Sequence, residues 1–303
     1  MLADRDKPHF DTDGLAWPHR AASRFVEADG LRFHVQVMGD GPVVVFLHGT
    51  GASTHSWRGL MERLAGECTV VAFDLPGHGF TSTPLFTRMT LPQVARSCGR
   101  LLDVLGLAPT ALVGHSAGAA VAIRMALDDV ARPAAIVGFN ASLRPFAGAA
   151  GPIFSTLARL LYVNPLTPRI FAASVSERRV ARLLEDTGSR LDHEGVRLYH
   201  MLLRRAGHVS GTLAMMAGWD LRPLQRDLPR LDVELTLVVG SRDQAVRPSE
   251  ATRSIRLVRR GRVVRMANLG HLAHEEDPEG AATIVLEALR RVLDRPQGER
   301  SPA

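Results

Sequence analysis

The feature that most constrains the fold is an alternation of short apolar runs with segments of helical spacing. Val43-Val44-Val45-Phe46-Leu47 is a continuous β-branched and aromatic run, suited to a strand covered on both faces. A helix is expected near 57–64, a second buried strand over 68–73, and a helix over 91–105 that Gly106 stops. Residues 111–113, 117–127 and 134–139 read as strand, helix and strand. The rhythm returns with a strand over 235–240, a helix near 249–258, a strand over 262–266 and a helix over 278–293. Such alternation implies an α/β protein with a mostly parallel, doubly wound sheet. Ahead of it, SRFVEADGLRFHVQVMGDG alternates apolar residues on both sides of Asp29-Gly30, the pattern of an antiparallel hairpin.

Between residue 140 and about 229 the alternation stops. The stretch is rich in Leu, Met, Phe and Arg, carries Pro145, Pro152, Pro165 and Pro168, and reads as helices and loops. The expected organisation is a sheet domain in two parts, 1–139 and 230–294, with a helical cap inserted over 140–229 and a disordered tail over 295–303. The 303 residues, 46% of them hydrophobic, suffice for one such core. No stretch approaches roughly 18 uninterrupted apolar residues, so no transmembrane span is expected. The N-terminus MLADRDKPHFDTDG lacks an apolar signal region, and a cytoplasmic protein is expected. Cys68 and Cys98 stand far apart, outside any metal-ligand spacing, and read as buried free thiols. The net charge of +6 comes almost wholly from scattered arginines, Lys7 being the only lysine. They build no continuous basic stripe and lack interleaved aromatics, so nucleic acid is not an expected partner.

One pentapeptide carries chemistry. Gly114-His115-Ser116-Ala117-Gly118 fits G-x-S-x-G, entered by a strand and left by a helix. A serine on that turn projects its Oγ above the carboxyl end of the sheet. A hydroxyl is a weak nucleophile and needs a base. Asp243 follows the strand ending Val238-Val239-Gly240, and His271 follows the next strand, in the chain order Ser, acid, His that this arrangement uses. The expected roles are Ser116 as nucleophile, His271 as base and Asp243 as the acid that orients it. Singly, Asp243 could be a turn residue and His271 a capped loop histidine; together and in order they point to catalysis. The oxyanion would need backbone donors, expected from Ala117 and from Thr50 in His48-Gly49-Thr50-Gly51. That loop could also suggest a phosphate cradle, but the P-loop signature is absent. Halide release and the usual epoxide chemistry call for a carboxylate where Ser116 stands.

Other motifs read as structural. Asp74-Leu75-Pro76-Gly77-His78-Gly79 sets a turn, with Asp74 bonding local backbone and His78 fixing the loop. His55, His115, His193, His200, His208 and His274 form no metal set. Glu275, Glu276 and Asp277 read as a solvated acidic cluster at a helix N-terminus. No metal and no cofactor is expected.

HGTGAS, DLPGHG, GHSAGAA, GSRD and GHLAHEEDP resemble the α/β-hydrolase superfamily across the whole sheet domain. WPHRAASRFVEADGLRFHVQVMGDGPVVVFLHGTGASTHSWR, GHSAGAAVAIRM and TLAMMAGWDL resemble the BchO-type magnesium-chelatase accessory proteins of bacteriochlorophyll-producing bacteria, over most of the chain. The resemblance implies an α/β-hydrolase fold and a role in tetrapyrrole or bacteriochlorophyll synthesis, with magnesium-chelatase subunits as partners. The apolar stretches Pro145-Phe146, Ile153-Phe154, 157–162, Ile170-Phe171 and 213–216 argue for a hydrophobic small-molecule substrate, such as an ester with a large apolar part or a tetrapyrrole. Arg144 and Arg169 are candidate partners for its carboxylates. Two functions stay open here: a serine hydrolase, and a non-catalytic porphyrin-binding accessory protein.

Overall fold

In the computed structural model, which describes residues 6–144, 164 and 166–294, the apolar runs pair into one sheet. Its strands are β1 (Ser23–Ala28), β2 (Leu31–Met38), β3 (Val43–Leu47), β4 (Thr69–Phe73), β5 (Ala111–His115), β6 (Ala135–Phe139), β7 (Glu234–Gly240) and β8 (Gly261–Met266). They lie in the order β1-β2-β4-β3-β5-β6-β7-β8. The β1/β2 and β2/β4 pairs are antiparallel, and every other pair is parallel. Asp29 and Gly30 both have positive φ, 52° and 73°, as a two-residue turn matching strand twist requires.

The central strands β3, β4, β5 and β6 are almost wholly apolar because both faces are covered, whereas the outer β1 and β8 carry exposed Arg24, Glu27 and Arg265. Along β3, Val45 and Leu47 enter one core cluster while Val44 and Phe46 enter the other. Helices α2 (Leu91–Leu105) and α3 (Ala117–Leu127) supply the first face. Helices α1 (Arg58–Leu64) and α11 (Pro278–Leu293) supply the second. Gly106 ends α2 in the left-handed region at φ 66°, as its position in the sequence suggested. Strand β5 runs two residues beyond the expected 111–113, because His115 still pairs with Phe139. Cys68 lies just outside β4, and both cysteines are buried and free.

Between β6 and β7 the described residues form only helices and turns: α4 (Leu166–Ser174), α5 (Glu177–Glu185), α6 (His193–Leu203), α7 (Ala206–Gly218) and α8 (Arg222–Asp227). Ser176 and Asp192 cap α5 and α6 by accepting the N–H groups of Arg179 and Gly195. The stretches Pro145-Phe146, Ile153-Phe154 and 157–162, and the tail 295–303, lie outside the described residues. After β7 come α9 (Pro248–Ile255) and the single turn α10 (Ala273–Glu276). Among the described residues no helix is long and apolar enough to cross a membrane.

Phe46 is fully buried, with its ring centroid 5.1 Å from that of Trp57. Phe46→Ala is expected to lower the unfolding free energy by about 3–5 kcal/mol in urea titration. Val104→Ala, at a position 59% exposed on α2, should stay within about 0.5 kcal/mol of the parent. Equal effects would contradict the assignment of this core.

Candidate active site

The parallel strands bring the sequence-selected residues to one edge of the sheet. Ser116 follows β5, Thr50 follows β3, Asp243 follows β7 and His271 follows β8. Ser116 has φ 49° and ψ −112°, a strained backbone for a residue with a Cβ. The strain is held by its N–H donating to Phe139 O (2.9 Å) and its carbonyl accepting from Ser142 N (3.1 Å). At Gly114 and Gly118 a Cβ would collide with Ala119 and with the Leu47 carbonyl, so strand and helix meet here without side chains between them.

Asp243 and His271 are joined. His271 Nδ1 lies 2.9 Å from Asp243 Oδ2. The same oxygen accepts from Asn140 Nδ2 (2.7 Å), and Oδ1 accepts from the N–H groups of Ala245 and Val246 (both 2.8 Å). An ionised carboxylate only accepts, so Nδ1 of the neutral ring carries the proton and Nε2 keeps a lone pair. Ser116 Oγ makes no hydrogen bond to His271 among the described residues. The two are tied through the backbone instead. His115 Nε2 donates to the His271 carbonyl at 2.9 Å, and the two rings lie 4.8 Å apart.

The loop after β3 is a four-residue turn. Ala52 N donates to Gly49 O (3.1 Å), and Gly51 takes φ 80°, the positive value such a turn demands at its third position. His48 sets its orientation. Leu75 N donates to His48 Nε2 (2.8 Å), so Nδ1 carries the proton and donates to Gly49 O (2.7 Å). Across a trans peptide the N–H of Thr50 points opposite to that carbonyl. A Cβ at Gly49 would lie 2.6 Å from His115 Nδ1 and 3.3 Å from Ser116 Cβ, so this turn rests directly on the serine elbow. Ala117 N–H opens α3 beside it.

Several residues that support this edge were not singled out in the sequence. Asn140, at φ 47° after β6, also reaches Gly270 O (3.3 Å). His115 was only the variable position of the pentapeptide. The detectable signal was topological: both lie at the ends of strands beside β7 and β3. Asp74 reaches further than local backbone. It accepts from Ser53 Oγ (2.5 Å), Thr54 N (2.8 Å), Phe80 N (2.8 Å) and His34 Nδ1 (3.0 Å). Burial alone would raise its pKa, but His34 leads the opposing interactions and the carboxyl is held far below the usual range. His78 does fix its loop, with Nδ1 3.1 Å from Pro76 O. Arg144 and Arg169 are in ion pairs, with Glu250 (2.9 Å) and Asp6 (3.5 Å).

The acidic cluster corrects the sequence reading. Glu275 is not solvated: its side chain is fully buried, accepting from Arg58 (2.8 Å) and Tyr199 OH (2.7 Å). Burial pushes its pKa up to about 7 against the pull of Arg58 and Tyr199. Glu276 accepts from Gly270 N (2.7 Å) and Arg190 N (3.0 Å), and so anchors the residue before His271 to the segment between α5 and α6. The reason is the short α10, which turns Glu275 and Glu276 inward before the next helix starts. Only Asp277 behaves as expected, capping α11 through Gly280 N at 2.9 Å. Among the described residues no group of three or more His, Cys, Asp or Glu side chains could hold a metal ion.

Among the buried histidines are His48, His55, His78, His115, His208 and His274. Burial is the largest cause holding each below its ordinary pKa. The unfolded chain would bind protons at them from about pH 6.5 downward while the native state would not, so stability is lost as pH falls through that value. Glu275 acts in the opposite sense: its folded pKa of about 7 lies above the unfolded value of about 4.3, so its contribution is present at low pH and lost as pH rises. The urea midpoint is expected to fall between about pH 7.5 and about pH 5. Glu275→Gln should make that fall larger. A flat profile in both proteins would contradict the neutral histidine cluster.

Comparison with known proteins agrees with this architecture. Residues 42–278 match the family model of the alpha/beta hydrolase fold. Over 277 residues the chain is 37% identical to the magnesium-chelatase 30 kDa subunit of Rhodobacter capsulatus, spanning 90% of this chain and 96% of that one. Among solved structures, a membrane phospholipase A described as a bacterial virulence factor aligns with a TM-score of 0.73 at 24% identity, covering 90% of this chain and 87% of that one. The epoxide hydrolase CorEH aligns at 0.74 and 21% identity, covering 89% and 98%. The last two likenesses are likenesses of fold, which hosts different chemistries. The chain belongs to the α/β-hydrolase fold family and, within it, to the family of the magnesium-chelatase 30 kDa subunit.

Proposed function

We propose that this protein is a serine hydrolase that cleaves a hydrophobic ester in bacteriochlorophyll or tetrapyrrole biosynthesis. The observation that carries the reading is the 2.9 Å bond between Asp243 and His271 on the sheet edge that also bears the strained Ser116. His271 Nε2 takes the Ser116 proton as Oγ attacks the acyl carbon. Asp243 holds the ring in the tautomer that leaves Nε2 free and stabilises the imidazolium. The carbonyl electrons move onto oxygen, which accepts from the N–H groups of Thr50 and Ala117. The intermediate collapses, His271 returns its proton to the leaving alcohol, and a water activated by the same ring frees the acid. The serine–histidine hydrogen bond forms when substrate is bound, as catalytic contacts often tighten only then.

In this reading residues 140–229 form a cap over the site, and the protein works in the cytoplasm. Ile170, Phe171, Leu213 and Met216, exposed or half-buried, give that cap apolar surface, which favours a substrate with a large apolar part. Likeness to a magnesium-chelatase subunit over 90% of the chain supports the pathway and favours one alternative. That alternative is a porphyrin-binding accessory protein that assists chelatase subunits without catalysis.

The two readings separate in one experiment on the full chain. Hydrolysis of a chromogenic long-chain ester is followed for the wild type and Ser116→Ala, beside a porphyrin absorption titration of both. The hydrolase reading expects Ser116→Ala to lower kcat by about 10⁴-fold or more. A saturable porphyrin shift that survives Ser116→Ala, with no ester turnover by the wild type, would establish the accessory role instead.

A further inference from the structure

Helix α7 turns one face toward the loops that follow β3 and β4. His208, Gly211, Thr212 and Met215 stand at spacings of three, four and seven residues, which places them on one stripe of the helix. His208 is fully buried and bridges both loops. Gly79 N donates to its Nδ1 (3.0 Å), so the ring proton sits on Nε2, which donates to Gly51 O (3.0 Å). One turn on, the chains touch backbone to backbone. A Cβ at Gly211 would collide with the Gly77 carbonyl, and a Cβ at Gly77 would lie 3.2 Å from Gly211 Cα. A further turn on, Met215 Sδ accepts from Thr50 Oγ1 at 3.5 Å.

These contacts converge on the turn that carries Thr50. Its first carbonyl, of Gly49, is held by His48 from the sheet domain. Its third, of Gly51, is held by His208 from the inserted helices. The turn is therefore clamped from two sides, and one side belongs to α7. Burial, with the nearby Lys7 ammonium acting in the same sense, lowers the His208 pKa to about 3, so the ring stays neutral and keeps one accepting nitrogen.

We propose that His208 is a positioning residue for the oxyanion turn, so that seating of α7 and orientation of the Thr50 N–H are one event. The catalytic half of this inference rests on Thr50 being an oxyanion donor, as in the reading above. The inserted helices then do more than roof the site: with α7 unseated, the Gly51 carbonyl loses its partner and the turn is free to rotate.

The test uses the full chain and three variants, His208→Phe, His208→Gln and Gly211→Ala. Two readouts are taken: kcat and KM on the chromogenic ester, and hydrogen–deuterium exchange over residues 48–52, where the Ala52 amide reports the turn. His208→Phe keeps ring volume and loses both bonds. Gly211→Ala lifts α7 by steric contact with Gly77. Each should lower kcat by about 100-fold with KM within about threefold, and speed exchange at the turn. His208→Gln can accept from Gly79 and donate to Gly51, and should recover kcat to within about tenfold. Wild-type kcat and wild-type exchange in folded His208→Phe and Gly211→Ala would overturn the proposal. Should His208→Phe fail to fold, Gly211→Ala decides on the same readouts. If the wild type hydrolyses no ester, the hydrolase reading fails, and exchange alone decides whether α7 positions the turn.

Discussion

Parallel strands deliver the loops that leave their carboxyl ends to one edge of the sheet, and in this protein much of that edge is buried. Peptide groups there have left the strand ladder and are shut off from water. An unpaired buried N–H or C=O costs about 1–3 kcal/mol, so side chains must pair them. The chain does this repeatedly. His48 serves Gly49 O and Leu75 N, Asp74 serves Thr54 N and Phe80 N, and His115 serves His271 O. Asn140 and Glu276 hold the two sides of Gly270. Loop shape at this edge is therefore dictated by buried polar side chains, and the candidate site inherits its geometry from them.

The same economy explains why so many of these residues are histidines. A neutral imidazole offers one donor and one acceptor in a fixed plane, so it can join two peptides of opposite need. His48 and His208 do this, each with its tautomer dictated by the N–H it accepts. The price is that buried rings such as His115 and His274, 4.5 Å apart, are held uncharged. Glu275 adds a buried carboxyl linking Arg58 of α1 to Tyr199 of α6, so the inserted helices are pinned to the sheet domain by polar contacts as well as apolar ones.

Much of the fold was legible because its signals are local. The β-branched run at 43–47, the helix stop at Gly106 and the turn at Asp29-Gly30 each follow from short-range sterics and patterning. The strand-turn-helix setting of Ser116, and the placement of Asp243 and His271 after successive strands, were legible for the same reason. What escaped was set by tertiary contact. Nothing near Glu275 in the sequence distinguishes a solvated helix-start carboxylate from one buried against Arg58, which is 217 positions away. Asn140, His115 and His208 gain their roles from loops contributed by other strands, so no periodicity announces them.

Family membership leaves the reaction open, since a phospholipase A and an epoxide hydrolase share this architecture. The account turns on Ser116 as nucleophile facing two backbone donors. A crystal structure of the protein after reaction with a fluorophosphonate tests this directly. The account predicts phosphorus bonded to Ser116 Oγ, with the phosphoryl oxygen within about 3.1 Å of the N–H nitrogens of Thr50 and Ala117. Phosphorus on another side chain, or a phosphoryl oxygen turned away from both amides, would contradict it.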